Sequence, residues 1–215
     1  MITRRAIAAI RSAFADRQPV LVFLAGPNGA GKSTFFRNFL GPELAGRLPF
    51  VNADEIGKAL REAGAAGSGV DYDRLAFDET EELRRSFLEQ GLSFCTETVF
   101  SDPGGAKLGF LRRARKAGYA VLLVFVGLDD AQLSLARVMQ RVDAGGHDIP
   151  DEKIQQRFPR TLANLRAAIE IVNDAFLFDN SSDQQPFRPV AIYSNGRLIE
   201  RFDPMPPWAD GLPGL

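Results

Sequence analysis

Short, continuously apolar runs alternate along this chain with longer segments whose apolar residues recur at helical spacing. Ala6, Ile7, Ile10 and Phe14 predict a leading amphipathic helix. PVLVFLAG then forms an unbroken apolar run, as expected of a parallel strand buried on both faces. Phe35, Phe36 and Phe39 continue a helical pattern that Gly41 and Pro42 are expected to end. PFVNADE predicts a short strand entering a polar turn, EIGKALREAG a short helix, and GAAGSG a flexible joint. In DYDRLAFDETEELRRSFLEQG, the residues Ala76, Thr80, Leu83 and Phe87 are expected on the buried side of a helix stopped by Gly91.

LSFCTETVF predicts a strand with a polar end, GGAKLGFLRRARKAG a further helix, and YAVLLVFVGL the most apolar strand of the chain. Two helical stretches follow, DDAQLSLARVMQRV and DEKIQQRFPRTLANLRAAIEIV, the second expected to kink or split at Pro159. AFLFDN predicts a late strand and PVAIYSNGRLIERF a terminal hairpin turning at SNGR. The Pro- and Gly-rich segment 204–215 is expected to be flexible. Strands alternating with amphipathic helices imply βαβ units, hence an α/β fold with a mostly parallel central sheet and helices on both faces. No repeat or low-complexity linker divides residues 1–215, so one domain is expected, with a helical lid over about residues 130–173.

The chemistry gathers at the strand ends. Gly26, Pro27, Asn28, Gly29, Ala30, Gly31, Lys32 and Ser33 satisfy GxxxxGK[ST] between a predicted strand and helix, which defines a P-loop NTPase fold, and Thr34 follows. Such a loop turns its backbone amides and a helix N-terminus toward phosphates, Lys32 reaches the terminal phosphates, and the Ser33 hydroxyl can ligate Mg²⁺. Ligands of open parallel sheets bind beyond the carboxyl ends of the strands. That rule selects Asn52, Asp54 and Glu55 after the second strand, and Thr96, Glu97, Thr98 and Ser101 after the third. An acceptor hydroxyl must lose a proton and Mg²⁺ needs oxygen ligands, duties that Asp54 and Glu97 can divide. Position alone also allows Asp54 to be no more than a helix N-cap. Arg137 and Arg141, four residues apart, share a helix face, and Arg157 and Arg160 flank Pro159; a solvated basic face accounts equally for any one of them. His147, the only histidine, lies in the GGHDIP hinge and is read as a surface residue.

Composition narrows the partners. The 26 Lys and Arg nearly balance the 27 Asp and Glu, which disfavours nucleic acid and an anionic membrane as partners. Cys95 is the only cysteine, which excludes an intramolecular disulfide and fits the cytoplasm. The first residues lack the apolar core of a signal peptide, and no stretch has the length of a membrane span. There is no LSGGQ-like transporter signature, and DPGG at Asp102–Gly105 has no NKxD companion for guanine. ATP is the default nucleotide, with GTP left open.

GPNGAGKST, VNADEI, TETVFS, YAVLLVFVGLDD and RVDAGGHDIPDEKIQQRFPRTLANL, in this order from Leu21 to Asn180, resemble the zeta toxin family of P-loop kinases, in particular its shorter stand-alone bacterial branch. The resemblance implies transfer of phosphate from ATP with Mg²⁺ to a hydroxyl of a small molecule, UDP-activated amino sugars being the best-known acceptors. It also implies that Asp54 is the general base, that Glu97 and Thr98 contact substrate or metal, and that an antitoxin protein blocks the nucleotide site; Asn52 is a substrate-binding candidate by its position after the second strand. Two lid arginines contact phosphates in the family. Arg137 and Arg141 match them, but the spacing around GGHDIP departs from that of the familiar toxins, so Arg157 is a third candidate. A nucleotide-gated binding protein acting on a protein partner is the alternative reading.

Overall fold

The computed structural model describes residues 2–44, 48–64, 71–143 and 149–215. Residues 144–148, which include His147 and most of the GGHDIP hinge, and most of the GAAGSG joint lie outside the described residues. Helix α1 (Ile2–Ala15) leads into β1 (Val20–Ala25), the phosphate loop and α2 (Lys32–Phe35). Then come β2 (Phe50–Val51), α4 (Ala53–Glu62), α5 (Tyr72–Glu89), β3 (Phe94–Thr98), α6 (Ala106–Lys116) and β4 (Ala120–Gly127), with α3 (Gly41–Leu44) preceding β2. Helices α7 (Ala131–Asp143) and α8 (Asp151–Ile169) precede β5 (Asp174–Asp179), β6 (Arg188–Ser194) and β7 (Arg197–Arg201).

The seven strands form one sheet in the order β2-β3-β1-β4-β5-β6-β7. Pairs β2–β3, β3–β1, β1–β4 and β4–β5 are parallel, whereas β6 and β7 add antiparallel at one edge. Every residue of β1 and β4 is buried, which is why both read as continuous apolar runs. Successive residues of β1 serve opposite faces. Leu21, Phe23 and Ala25 pack into a core with α6, α8 and the chain's end, while Val20, Val22 and Leu24 pack with α1, Phe35 and Leu40. Asn195 and Gly196, both at positive φ, make the turn predicted at SNGR.

Four expectations change on contact with the structure. The helix after the phosphate loop does not stop at Gly41; it widens into a π-type stretch (Phe36–Leu40) and resumes as α3 through Pro42. Pro42 has no N–H to return to the preceding turn, and Gly41 donates five residues back to Phe36, so the wider register accommodates the proline. Pro159 does not split α8, which runs unbroken with the proline on its exposed side. On α5 the buried positions are Ala76, Thr80 and Arg84, while Leu83 is 36% exposed: a strict four-residue step carries the buried row to an arginine. The segment from Pro204 onward, expected to be loose, is seated on the core.

Trp208 carries that seat. It is buried, its Nε1 donates to Asp179 Oδ1 at 2.9 Å, and its ring covers Gly127 so closely that a Cβ there would lie 2.3 Å from it. Arg166 donates to the Asp210 carbonyl at 2.6 Å and Arg188 to that of Pro204. Trp208→Ala should therefore cost about 3–5 kcal/mol of unfolding free energy in urea denaturation. Ile199→Ala, on an exposed edge position, should stay within about 0.5 kcal/mol. A loss at Trp208 no larger than that at Ile199 would show that the tail does not support the sheet.

Candidate active site

Strand β1 ends between β3 and β4, so the loop after it opens at the junction of the two halves of the sheet. Gly26 lies against β4: an added Cβ would sit 2.1 Å from the Val126 carbonyl oxygen, so only glycine lets the loop start there. Gly31, at φ 85°, is the left-handed residue from which α2 departs, and a Cβ would meet Asn180 Nδ2 at 2.8 Å. Side chains from two elements hold the loop. Ser134 on α7 donates to the Asn28 carbonyl at 2.6 Å, and Asn180 after β5 donates to the Ala30 carbonyl at 2.9 Å. Phe35 anchors the helix behind it by packing on Phe178 and Phe187.

Lys32 is 7% exposed and donates from Nζ to the Pro27 carbonyl at 2.9 Å, folded over its own loop. Burial lowers its proton affinity; the charges of Glu97 and Asp54 oppose that, and Arg141 adds to it. All three charged groups thus act on the phosphate-loop lysine.

The ends of β2 and β3 meet this lysine from the other side. Glu97 accepts from Ser33 Oγ at 2.9 and 3.2 Å and from Asn52 Nδ2 at 2.8 Å. Burial pushes its carboxyl up; Lys32 and the Ser33 hydroxyl pull it back, and the charges of Asp54 and Glu55 add to the rise. Asn52 has a second duty: its Oδ1 accepts from the amides of Asp54 at 2.8 Å and Glu55 at 3.4 Å, so Asn52 is the N-cap of α4. Asp54, for which position alone allowed a capping role, stands instead in the first helical turn. Its carboxylate is exposed and makes no hydrogen bond or ion pair among the described residues. Thr98 is half-buried and its hydroxyl accepts from the Phe100 amide at 3.2 Å.

The three arginines are differently placed. Arg137 donates to the Asn180 carbonyl at 2.6 Å and pairs with Asp183 at 2.9 Å, on the side of the loop away from Glu97. Arg141, one turn on, is exposed and near enough for its charge to register at Lys32. Arg157 is half-buried, and burial lowers its proton affinity. It shares a face of α8 with Thr161 and Asn164, which bond the loop after β3: Thr161 donates to the Val99 carbonyl at 2.9 Å and Asn164 to that of Phe100 at 2.9 Å. Sequence reasoning missed these two, along with Ser134, and placed Asn180 at a strand end without its hold on the Ala30 carbonyl. It also missed Arg84, 4% exposed, whose Nε donates to Thr96 Oγ1 and Nη2 to the Glu97 carbonyl, both at 2.7 Å. The buried row of α5 carried the signal for Arg84; the others had none in spacing.

No three His, Cys, Asp or Glu side chains gather as a metal cage among the described residues. A hydroxyl beside one carboxylate, Ser33 and Glu97, fits instead a divalent ion completed by phosphate oxygens and water. No helix among the described residues is long and apolar enough to cross a membrane.

The fold and loop are those of a P-loop nucleotide-binding protein. Residues 5–187 match the zeta toxin family, and the chain belongs to that family. It is 26% identical over 137 residues, 64% of this chain and 91% of the other, to an uncharacterized protein of Haemophilus influenzae. Among solved structures it is similar to the PezAT chromosomal toxin–antitoxin system of Streptococcus pneumoniae, with a TM-score of 0.56 and 18% identity, covering 93% of this chain and 79% of that one. It is also similar to the AvrRxo1-ORF1:AvrRxo1-ORF2 complex with ATP, with a TM-score of 0.53 and 18% identity, covering 92% and 65%.

Because burial of Lys32 outweighs the attraction of its two carboxylates, its charge opposes folding of the nucleotide-free protein. The folded value lies below the unfolded one, so the unfolded chain binds more protons between them and stability rises with pH across that window. Lys32→Met should remove that rise and lose triphosphate affinity, while its absolute stability also carries the cost of leaving the Glu97 carboxylate without its cation. An undiminished rise of melting temperature with pH in the variant, followed by calorimetry, would contradict the assignment to Lys32.

Proposed function

We propose that this protein transfers the γ-phosphoryl group of ATP to a hydroxyl of a small molecule, with a UDP-activated amino sugar as the leading acceptor class. The observation that carries this reading is Asp54. A carboxylate relieved of capping by Asn52, exposed, and electrostatically linked to both Lys32 and Glu97 is what an acceptor alcohol requires beside the terminal phosphate. Family membership supports the reaction class, and the ATP in the AvrRxo1 complex supports the nucleotide.

On this reading the backbone amides of Gly29–Ser33 and the ammonium of Lys32 hold the β- and γ-phosphates, which draw Lys32 away from the Pro27 carbonyl. Ser33, with Glu97 behind it, would hold Mg²⁺, which when bound neutralises phosphate charge. The acceptor oxygen forms a bond to the γ-phosphorus, the bond to the β–γ bridging oxygen breaks, ADP leaves, and the hydroxyl proton passes to Asp54. Arg141 supplies charge from α7 and Arg157 from α8 as negative charge redistributes over the transferred group. Arg137 braces the loop through Asn180 and the nucleotide side of the cleft. Asn52 and Thr98 flank the acceptor. PezAT is a toxin–antitoxin system, and the likeness to it supports a protein antitoxin as a partner for this chain. A metabolite substrate implies action in the cytoplasm.

The test is incubation with ATP, Mg²⁺ and a mixture of nucleotide sugars and other metabolites, followed by mass spectrometry for a gain of one phosphate. Asp54→Asn should lower the rate of that product by about 100-fold or more while ATP affinity persists. Unchanged turnover in the variant would reject Asp54 as the base. Slow ATP hydrolysis with no phosphorylated metabolite, together with partner affinity that follows the nucleotide, would favour a gated binding protein instead.

A further inference from the structure

Arg84 is the one charged residue in the buried row of α5, and the proposed chemistry does not use it. A guanidinium removed from water is tolerated only where its donors find acceptors. Arg84 finds three: Glu81, reached by Nη1 and itself held by Lys107 Nζ at 2.7 Å; Thr96 Oγ1; and the Glu97 carbonyl. An apolar residue would fill the same volume without that demand, so the choice of arginine asks for a reason.

Strand register supplies one. The Cys95 amide donates to the Pro49 carbonyl at 2.8 Å, so Cys95, and by the two-residue period Glu97, turns its main-chain groups toward β2. β2 ends at Val51, whose register partner is Thr96. The chain has already turned into the Asn52 cap and α4 where a further residue of β2 would have met Glu97. Arg84 takes that place, its Nη2 at 2.7 Å from the Glu97 carbonyl oxygen. Its Nε simultaneously holds Thr96 Oγ1, and the Thr96 hydroxyl donates to the Val51 carbonyl at 2.9 Å. One planar fork therefore ties the last residue of β2 to the last turns of β3, adjacent to Asn52 on one strand and at Glu97 itself on the other.

We propose that Arg84 is a positioning residue of the phosphotransfer centre. It substitutes for the missing length of β2 and fixes the two strand ends, so that the Glu97 carboxylate meets Ser33 and Asn52, and Asn52 in turn sets the first turn of α4 that carries Asp54. The inference rests on the kinase reading for its catalytic consequence, but its structural part stands apart from that reading. Lysine keeps the charge but lacks the two-pronged geometry, so it replaces the function only in part.

The experiment compares Arg84→Met, Arg84→Lys and Thr80→Val in the full chain. Thr80 is buried on the same helix and its hydroxyl donates within that helix, to the Ala76 carbonyl at 2.6 Å, rather than to a strand, so it reports loss of stability without loss of the fork. Arg84→Met should lower kcat about ten- to a hundredfold with KM for ATP little changed, because the phosphate loop is held from Ser134 and Asn180. Arg84→Lys should recover part of kcat, and Thr80→Val should lower the melting temperature with kcat intact. A crystal structure of Arg84→Met should show the Glu97 carboxylate displaced from Ser33 and Asn52. Should Arg84→Met not fold, Thr96→Val removes the shared hydroxyl at nearly constant shape and should show a smaller change of the same kind. Wild-type kinetics in the folded variant, or an undisplaced Glu97 carboxylate, overturns the proposal. A wild-type protein that phosphorylates no acceptor rejects the kinase reading instead, and the crystal structure then decides on Arg84 by itself.

Discussion

A half-buried carboxylate, Glu97, is where three segments far apart in the sequence converge. Ser33 from α2 and Asn52 from the end of β2 both donate to it, and Lys32 faces it across the loop. Desolvation raises its proton affinity and the lysine charge lowers it, so each group's presence in the cleft depends on the other. Neither would be retained on stability grounds, since buried charge is costly even when paired. The arrangement becomes intelligible once a polyanion is bound: phosphates complete the charge balance around Lys32, and the oxygens of Ser33 and Glu97 are then gathered on one side of them.

The opposite flank of the loop is braced by neutral groups. Ser134 and Asn180 hold two of its carbonyls, and Asn180 follows directly on Asp179, which takes the Trp208 indole N–H and Arg188. The end of the chain thereby stiffens the residue next to the one that grips Ala30. On the Glu97 flank, Thr161 and Asn164 fasten α8 to the loop after β3, where Phe100 sits buried at φ 64°, a conformation that costs free energy for a bulky side chain and persists only when its surroundings enforce it. Within the region expected to be a helical lid, α8 is therefore pinned along its middle, and Arg157 projects from a fixed rather than a loose support.

The sheet was legible in the sequence because its two central strands are buried on both faces and its crossover helices are amphipathic, patterns that local composition enforces. The phosphate loop was legible because glycine spacing there answers to backbone geometry, as at Gly26 and Gly31. Asn52 and Asp54, just after β2, and Glu97, next to last in β3, could be picked out from their positions at strand ends alone. What the sequence did not disclose depends on register and on groups meeting across long separations. Which of Asn52 and Asp54 caps α4 is a choice between neighbours that depends on where β2 stops. The burial of Arg84 in place of Leu83 follows from a helix phase that one residue shifts, and Trp208 from a notch at Gly127 that only the folded sheet forms.

Register also separates two arginines that spacing alone had grouped. Arg137 and Arg141 lie on one face of α7, yet four residues along a helix is about 6 Å of rise, enough to place them in different surroundings. Arg137 is committed to the Asn180 carbonyl and Asp183, and could reach a phosphate only by giving up both. Arg141 stands where its charge is felt at Lys32, the group that must itself meet the terminal phosphates. A shared helix face therefore does not imply a shared role: on the proposed reading, the first arginine shapes the loop that receives the nucleotide and the second meets the charge that the nucleotide brings.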